Sequence, residues 1–150
     1  MRAVLQRVTH AKVVSDGVLT GEIEKGLFIL LGVHRGDDEK DADLLAEKIA
    51  KCRIFSDEND KMNLCVNDVG GGALVVSNFT LYANYSKGNR PDYFDSEGPE
   101  RANQLYEIFV HKLKKLIPTV GTGVFGAHMQ IDTVCDGPVT IVMDSDVLRK

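Results

Sequence analysis

The chain contains 150 residues, of which 43% are hydrophobic and 27% are charged. A chain of this size can bury a hydrophobic core without disulfides or metal ions, so it predicts a single domain over residues 1–150. The formal net charge of −4 argues against a broad electrostatic surface for a nucleic-acid backbone. Any nucleic-acid contact is therefore expected to be local.

No stretch has the roughly 20 apolar residues that a membrane helix needs, since the longest apolar run is 26–33. Residues 1–7 also lack the apolar core of a secretory signal, so we expect a cytoplasmic protein without a membrane partner. Cys52, Cys65 and Cys135 show no CxxC spacing, which argues against a disulfide framework and a zinc site. No metal and no cofactor are expected.

The first half of the chain predicts strands followed by a helix. Alternating residues indicate a strand at 4–8, and a turn at Ser15-Asp16-Gly17 separates strand segments at 11–14 and 18–23. After an apolar strand at 27–33, Asp37 or Asp38 can cap a helix. Its predicted buried stripe is Ala42, Leu45, Ile49 and Cys52.

The second half predicts a hairpin at 53–66 and a strand at 73–82. Gly98-Pro99 opens a second helix that Pro118 ends. Its predicted buried stripe is Ala102, Leu105, Phe109, Leu113 and Leu116. Strand periodicity then returns at 129–132 and 139–143. The sum is an α+β domain with an antiparallel sheet and two main helices. Strands and helices do not alternate regularly, which disfavours a parallel doubly wound sheet.

Three motif matches are rejected on their context. The GxGxxG pattern at 121–126 lacks the following helix that a dinucleotide site needs. A calcium loop starting at Asp57 would need Gly where Met62 stands. Cys135 and His128 could form a thiol–imidazole pair, but a small cysteine in a strand is far more common.

Two distant segments break the pattern of the strands around them: Ser77-Asn78-Phe79-Thr80-Leu81 and Gly137-Pro138-Val139-Thr140. In the first segment, the hydroxyls either satisfy backbone groups at a strand end or orient a substrate. If the hydroxyls orient a substrate, the backbone amides near Phe79 and Thr80 are expected to stabilise an oxyanion. Gly137-Pro138 is, on local grounds, a turn with an ordinary trans bond. The residues alone leave these alternatives open.

Five ordered motifs together closely resemble the D-aminoacyl-tRNA deacylase family, over nearly the whole chain. They are Met1-Arg2-Ala3-Val4-Leu5-Gln6-Arg7-Val8, Ser77-Asn78-Phe79-Thr80-Leu81-Tyr82-Ala83, Lys87-Gly88-Asn89-Arg90-Pro91, Thr122-Gly123-Val124-Phe125-Gly126-Ala127-His128-Met129 and Asp136-Gly137-Pro138-Val139-Thr140. Two positions depart from the family pattern: Asn78, where Gln is usual, and Cys135, where Asn is usual.

The resemblance implies a homodimer of β-barrel-like subunits that acts on the acceptor end of aminoacyl-tRNA. It implies hydrolysis of the ester joining a D-amino acid, or glycine, to the terminal adenosine. By the same analogy, a cis Gly137-Pro138 bond enters the partner's active site, where its carbonyls hold the substrate's α-amino group and L-amino acids are rejected. Arg7 is then expected to fix this loop.

The resemblance also implies roles for individual residues. Catalysis is expected from Ser77, Asn78, Phe79 and Thr80, with Thr80 as an orienting group rather than an unassisted nucleophile. Substrate-binding positions are Phe125 and Met129, and possible tRNA contacts are Lys87 and Arg90. Two alternatives remain: an editing deacylase with relaxed chirality that acts on L-aminoacyl-tRNA, and a non-catalytic RNA- or protein-binding module on the same fold.

Overall fold

The computed structural model describes residues 1–150 and contains eight strands, three α-helices and a 3₁₀ helix at Phe79–Tyr82. The strands are β1 Arg2–Ser15, β2 Val18–Ile23, β3 Gly26–Gly32, β4 Phe55–Ser56, β5 Met62–Leu64, β6 Gly72–Ser77, β7 Val120–Thr122 and β8 Met129–Asp144. The helices are α1 Glu39–Ala50, α2 Pro99–Leu116 and the short α3 Ser145–Leu148, which the sequence analysis did not foresee.

The sheet is nearly closed, in the order β2-β1-β3-β6-β7 with β8 paired to β1. Its edge strands β2 and β7 approach closely: a Cβ added at Gly21 would lie 2.6 Å from the carbonyl oxygen of Thr122. The α+β class with a barrel-like sheet is therefore confirmed. No helix in the structure is long and apolar enough to cross a membrane.

The direction of two strand pairings differs from the antiparallel expectation. The pairings of β1 with β2, β3 and β8 are antiparallel, but β6 runs parallel to both β3 and β7. The connections explain this difference. The chain crosses from β3 to β6 through α1 and the β4–β5 hairpin, and from β6 to β7 through α2, and crossovers of this kind join parallel strands.

The two main helices form as their periodicity predicts and cover one face of the sheet. Asp38 caps α1, and its carboxylate accepts hydrogen bonds from the amides of Lys40 at 2.9 Å and Asp41 at 3.4 Å. The predicted stripes of both helices are buried in one core, and only their last residues, Cys52 and Leu116, are partly buried. The buried members are Ala42, Leu45, Ile49, Ala102, Leu105, Phe109 and Leu113. This core fixes the start of α2, which forms one wall of the site.

Candidate active site

A cleft of about 550 Å³ opens where β6 ends, beside the start of α2. It brings together five residues singled out in the sequence: Ser77, Asn78, Phe79, Phe125 and Met129. Two segments that are far apart in the chain therefore meet at one cavity. Thr80 is exposed and does not line this cleft.

The chain turns away from the sheet at Asn78, so the strand expected at 73–82 ends at Ser77. The Asn78 amide still donates to the Leu31 carbonyl at 2.8 Å, as a last contact with β3. The Asn78 side-chain oxygen then accepts from the Thr80 amide at 3.1 Å and from the Thr80 hydroxyl. An Asn side chain that bonds nearby backbone competes with the strand ladder and favours a helix start.

Tertiary contacts hold the resulting 3₁₀ helix at both ends. The Ser96 hydroxyl donates to the Phe79 carbonyl at 2.8 Å, and the Arg2 guanidinium donates to the Leu81 carbonyl at 2.9 Å. The Phe79 ring packs edge-on against Tyr93, with ring centroids 4.9 Å apart. The first amides of a helix have no acceptor within it. Since Asn78 engages the Thr80 amide, the Phe79 amide is left without a partner inside the turn.

The opposite wall is built from Tyr106, Phe125 and Met129. The Tyr106 hydroxyl donates to the Val75 carbonyl at 3.0 Å, and its ring lies 6.0 Å from the Phe125 ring. Burial, with a smaller effect of Glu107, raises the pKa of Tyr106 to about 12, so this phenol remains a neutral donor. Gly123 makes room for Met129, because a Cβ at Gly123 would overlap the Met129 sulfur.

Several residues that line the cleft carried no predicted role in the site: Tyr93, Ser96, Glu97, Tyr106 and Ala127. Glu97 is the one carboxylate among the lining residues, and it accepts from the amides of Gly98 at 2.8 Å and Gly36 at 3.2 Å. These hydrogen bonds, the Gly98 bond first, lower the pKa of Glu97. The sequence pattern could have indicated the positions of two of these residues. Glu97 directly precedes the predicted helix start at Gly98-Pro99, and Tyr106 lies on the same helix face as the predicted stripe residue Ala102, four positions later.

The Gly137-Pro138 segment lies outside the cleft of its own subunit and is exposed. In place of two separate strands at 129–132 and 139–143, β8 is continuous and bulges at this segment. Gln6 pairs with Thr140 and Val8 pairs with Cys135, so four residues of β8 stand opposite Arg7 alone. The Gly137-Pro138 peptide bond is cis, as the family resemblance implied.

Arg7 connects this bulge to the body of the domain. Its Nε donates to the Asp136 carbonyl at 2.8 Å and lies 3.3 Å from the Asp136 carboxylate. Another guanidinium nitrogen donates to the Ile54 carbonyl at 2.9 Å. The Arg7 side chain is only 12% exposed, so its guanidinium is held in place and bridges the backbone carbonyls of Asp136 and Ile54.

The remaining candidates lie on the surface. Lys87 and Arg90 are exposed in the segment between the 3₁₀ helix and α2, and neither lines the cleft. The Cys135 thiol contacts Gln6 at 3.7 Å and Thr133 at 3.9 Å. His128 is not among the contacts of the Cys135 thiol, so no thiol–imidazole pair forms. No helix follows the glycines at 121–126, so the dinucleotide motif is excluded as the sequence context predicted.

Comparison with known proteins gives matches along nearly the whole chain. A family model described as D-Tyr-tRNA(Tyr) deacylase matches residues 4–144. A D-aminoacyl-tRNA deacylase of Clostridioides difficile (strain 630) is 54% identical over 145 residues, covering 97% of each chain. One from Persephonella marina is 54% identical over 148 residues, covering 99% of this chain and 100% of the relative.

Solved structures agree with these matches. A structure described as c-Myc DNA Unwinding Element Binding Protein superposes with a TM-score of 0.90 at 37% identity, covering 96% of this chain and 98% of its own. A probable eukaryotic D-amino acid tRNA deacylase superposes with a TM-score of 0.82 at 14% identity, covering 95% and 98%, which shows a shared fold. By sequence and by structure, the chain belongs to the D-Tyr-tRNA(Tyr) deacylase family.

Proposed function

We propose that this protein hydrolyses the ester that joins a D-amino acid, or glycine, to the terminal adenosine of tRNA. The observation that carries the proposal is 54% identity, over 97% of both chains, to a protein named D-aminoacyl-tRNA deacylase. The cleft adds support, because the family segment at Ser77–Phe79 lines it together with Phe125 and Met129. The proposed reaction takes place in the cytoplasm and needs no cofactor.

The proposed mechanism is oxyanion stabilisation with water as the nucleophile. An aminoacyl ester is already activated, so water can add to its carbonyl carbon once the developing oxyanion is stabilised. The bond to the ribose oxygen then breaks, which yields the free amino acid and the tRNA hydroxyl. We assign oxyanion binding to the Phe79 amide, since Asn78 already engages the Thr80 amide. Removing an oxyanion donor typically costs about 2.7–4 kcal/mol.

Thr80 is proposed to orient the turn rather than to attack the ester. Its hydroxyl donates to the Asn78 side chain, and none of its hydrogen bonds involves an imidazole or carboxylate that could act as a base. Thr80→Val and Thr80→Ala should therefore slow turnover without abolishing it. Complete loss of turnover in both variants, with folding intact by circular dichroism, would favour a nucleophilic Thr80.

Chiral selection is proposed to arise across a homodimer. Gly137 and Pro138 are exposed and outside their own cleft, so they are free to enter the cleft of a second subunit. The same strand exposes Val134 at 57% and Val142 at 61%, an apolar surface of the kind that a partner covers. The Gly137-Pro138 carbonyls then hold the substrate's α-amino group and leave no room for an L side chain.

Lys87 and Arg90 are proposed to contact the acceptor end outside the cleft. The surrounding segment also exposes the rings of Tyr85 at 79% and Phe94 at 76%. Basic groups next to exposed aromatic rings suit single-stranded nucleic acid, because bases stack on the rings while cations meet phosphates. The net charge of −4 limits this grip to a few phosphates, so binding should depend only weakly on salt.

The test is incubation of the purified protein with D-Tyr-tRNA, L-Tyr-tRNA and Gly-tRNA, with ester loss followed for each. We expect hydrolysis of the D-tyrosyl and glycyl esters and survival of the L-tyrosyl ester. Equal loss of the D- and L-tyrosyl esters would indicate an editing enzyme with relaxed chirality. Binding without ester loss would indicate a non-catalytic module.

A further inference from the structure

A second cavity, of about 500 Å³, lies directly beside the cleft, between α2 and the segment at 122–125. The two cavities share Tyr106 and Phe125 as lining residues. The hydrogen bond from the Tyr106 hydroxyl to Val75 fixes this common wall. A polymeric ligand whose end occupies the cleft can therefore pass the two rings and place its next unit in the second cavity.

One side of the second cavity is basic. His111 and Lys114 line it, and neither belongs to an ion pair. By contrast, the neighbouring Lys112 is neutralised by Glu47 at 3.3 Å. Lys114 therefore has no carboxylate partner within the subunit and can meet a ligand anion, since a lysine ammonium binds phosphate as a point charge.

The other side carries groups that can recognise a base edge. The Glu107 carboxylate lies 3.4 Å from the Asn103 side-chain nitrogen, and both residues line the cavity. A carboxylate accepts from the exocyclic amino group of cytosine, which is the usual pairing of acidic residues with bases. Val124, 49% exposed, adds apolar surface beside the cavity for the face of a base.

We infer that the second cavity binds the penultimate nucleotide of tRNA, the cytidine of the terminal CCA. Lys114 and His111 hold the phosphodiester that links this cytidine to the terminal adenosine. The Glu107 carboxylate, to which Asn103 donates, accepts a hydrogen bond from the cytosine amino group. The inference rests on the proposed function, because the cleft must hold the aminoacyl-adenosine. It adds a recognition site for the nucleotide that precedes that adenosine.

The test compares two small substrates, 3′-D-tyrosyl-adenosine and the same ester on the dinucleotide cytidylyl-adenosine. In the wild-type protein, the added cytidine should lower KM. Lys114→Glu should remove this gain, a loss of about five- to tenfold for one charged contact at an exposed site, and leave adenosine-ester turnover unchanged. Lys115→Glu is the matched control, because Lys115 is exposed on the same helix but does not line the cavity, and it should retain the gain.

Each contrary outcome has a distinct meaning. An equal KM for both substrates in the wild-type protein would overturn the cytidine site and leave the deacylase function standing. An equal loss with Lys114→Glu and Lys115→Glu would also overturn it, since general charge would then explain the effect. Slower cleavage of the adenosine ester by Lys114→Glu would assign the cavity to the terminal nucleoside instead. Cleavage of neither ester nor of D-Tyr-tRNA would refute the proposed function itself.

Discussion

Arg7→Ala should weaken the discrimination between D- and L-aminoacyl esters more than it weakens D-ester turnover. Arg7 donates to the carbonyls of Asp136 at 2.8 Å and Ile54 at 2.9 Å, and so holds the Gly137-Pro138 bulge on the domain. Hydrogen bonds from a charged donor contribute about 1.5–3 kcal/mol each. Two such bonds would contribute about 3–6 kcal/mol together. Because the Asp136 bond is exposed, its smaller contribution brings the pair to about 2–3 kcal/mol.

At 1.4 kcal/mol per factor of ten, this free energy corresponds to a loss of discrimination of about 25- to 140-fold, if all of it serves to position the bulge. The assay is the ratio of kcat/KM for D-Tyr-tRNA to that for L-Tyr-tRNA. The ratio for Arg7→Lys should lie between the ratios for wild type and Arg7→Ala, because an ammonium cannot donate to both carbonyls with the geometry of a guanidinium.

The matched control for Arg7→Ala is Arg53→Ala. The Arg53 Nε also donates to a backbone carbonyl, that of Asn63 at 2.8 Å, but it does so in the exposed β4–β5 hairpin. This variant should discriminate as the wild type does. A folded Arg7→Ala protein with the wild-type ratio of D to L hydrolysis would refute the role of Arg7 in chiral selection.

Three further predictions concern the cleft and the bulge. Asn78→Ala removes the oxygen that caps the 3₁₀ helix, so it should cost about 0.5–2 kcal/mol in urea unfolding and lower kcat; an unchanged kcat would argue against a catalytic turn. Gly137→Ala should admit L-Tyr-tRNA, because the new Cβ would overlap the Val139 amide nitrogen and displace the bulge; its melting temperature should fall, because the backbone has to shift, and continued rejection of the L ester by the folded variant would contradict the assignment. Glu97→Gln should be less stable than wild type at neutral pH. This difference in stability should shrink as the pH falls below 4.5 and through the lowered folded-state pKa of Glu97, because a carboxylate with a lowered pKa contributes stability only while it is ionised. A difference that persists under acid would show that the Glu97 charge is not its source.

Local patterns were enough to predict the two main helices. The α2 stripe, with Leu105, Phe109 and Leu113 fully buried, follows from a periodicity that neighbouring residues set among themselves. The Asp38 cap is equally local, since its acceptors and donors lie within three residues. The two parallel pairings of β6 were not accessible in this way, because they depend on where α1 and α2 carry the chain.

In the candidate site, too, contacts between distant residues decide features that local patterns do not predict. Residues 79–82 include Phe79, Thr80 and Tyr82, which favour strands by propensity, yet they form a 3₁₀ helix. The contacts that decide this come from afar: Ser96 binds the Phe79 carbonyl, and Arg2 binds the Leu81 carbonyl. The family motifs located the Ser77 segment and the Gly137-Pro138 bulge. The structure places the Gly137-Pro138 bulge outside the cleft of its own subunit, which is compatible with the entry into a partner's cleft that the resemblance implies.

A mixed dimer can show whether the bulge of one subunit completes the cleft of the other, as we propose. One subunit carries Gly137→Ala, and the other carries Ala127→Trp, which fills the cleft that Ala127 lines. After isolation by two affinity tags, the only open cleft belongs to the Gly137→Ala subunit. This dimer should hydrolyse D-Tyr-tRNA and reject L-Tyr-tRNA, since the intact bulge comes from the partner. Hydrolysis of L-Tyr-tRNA at the rate of the Gly137→Ala homodimer would refute selection by the partner's bulge.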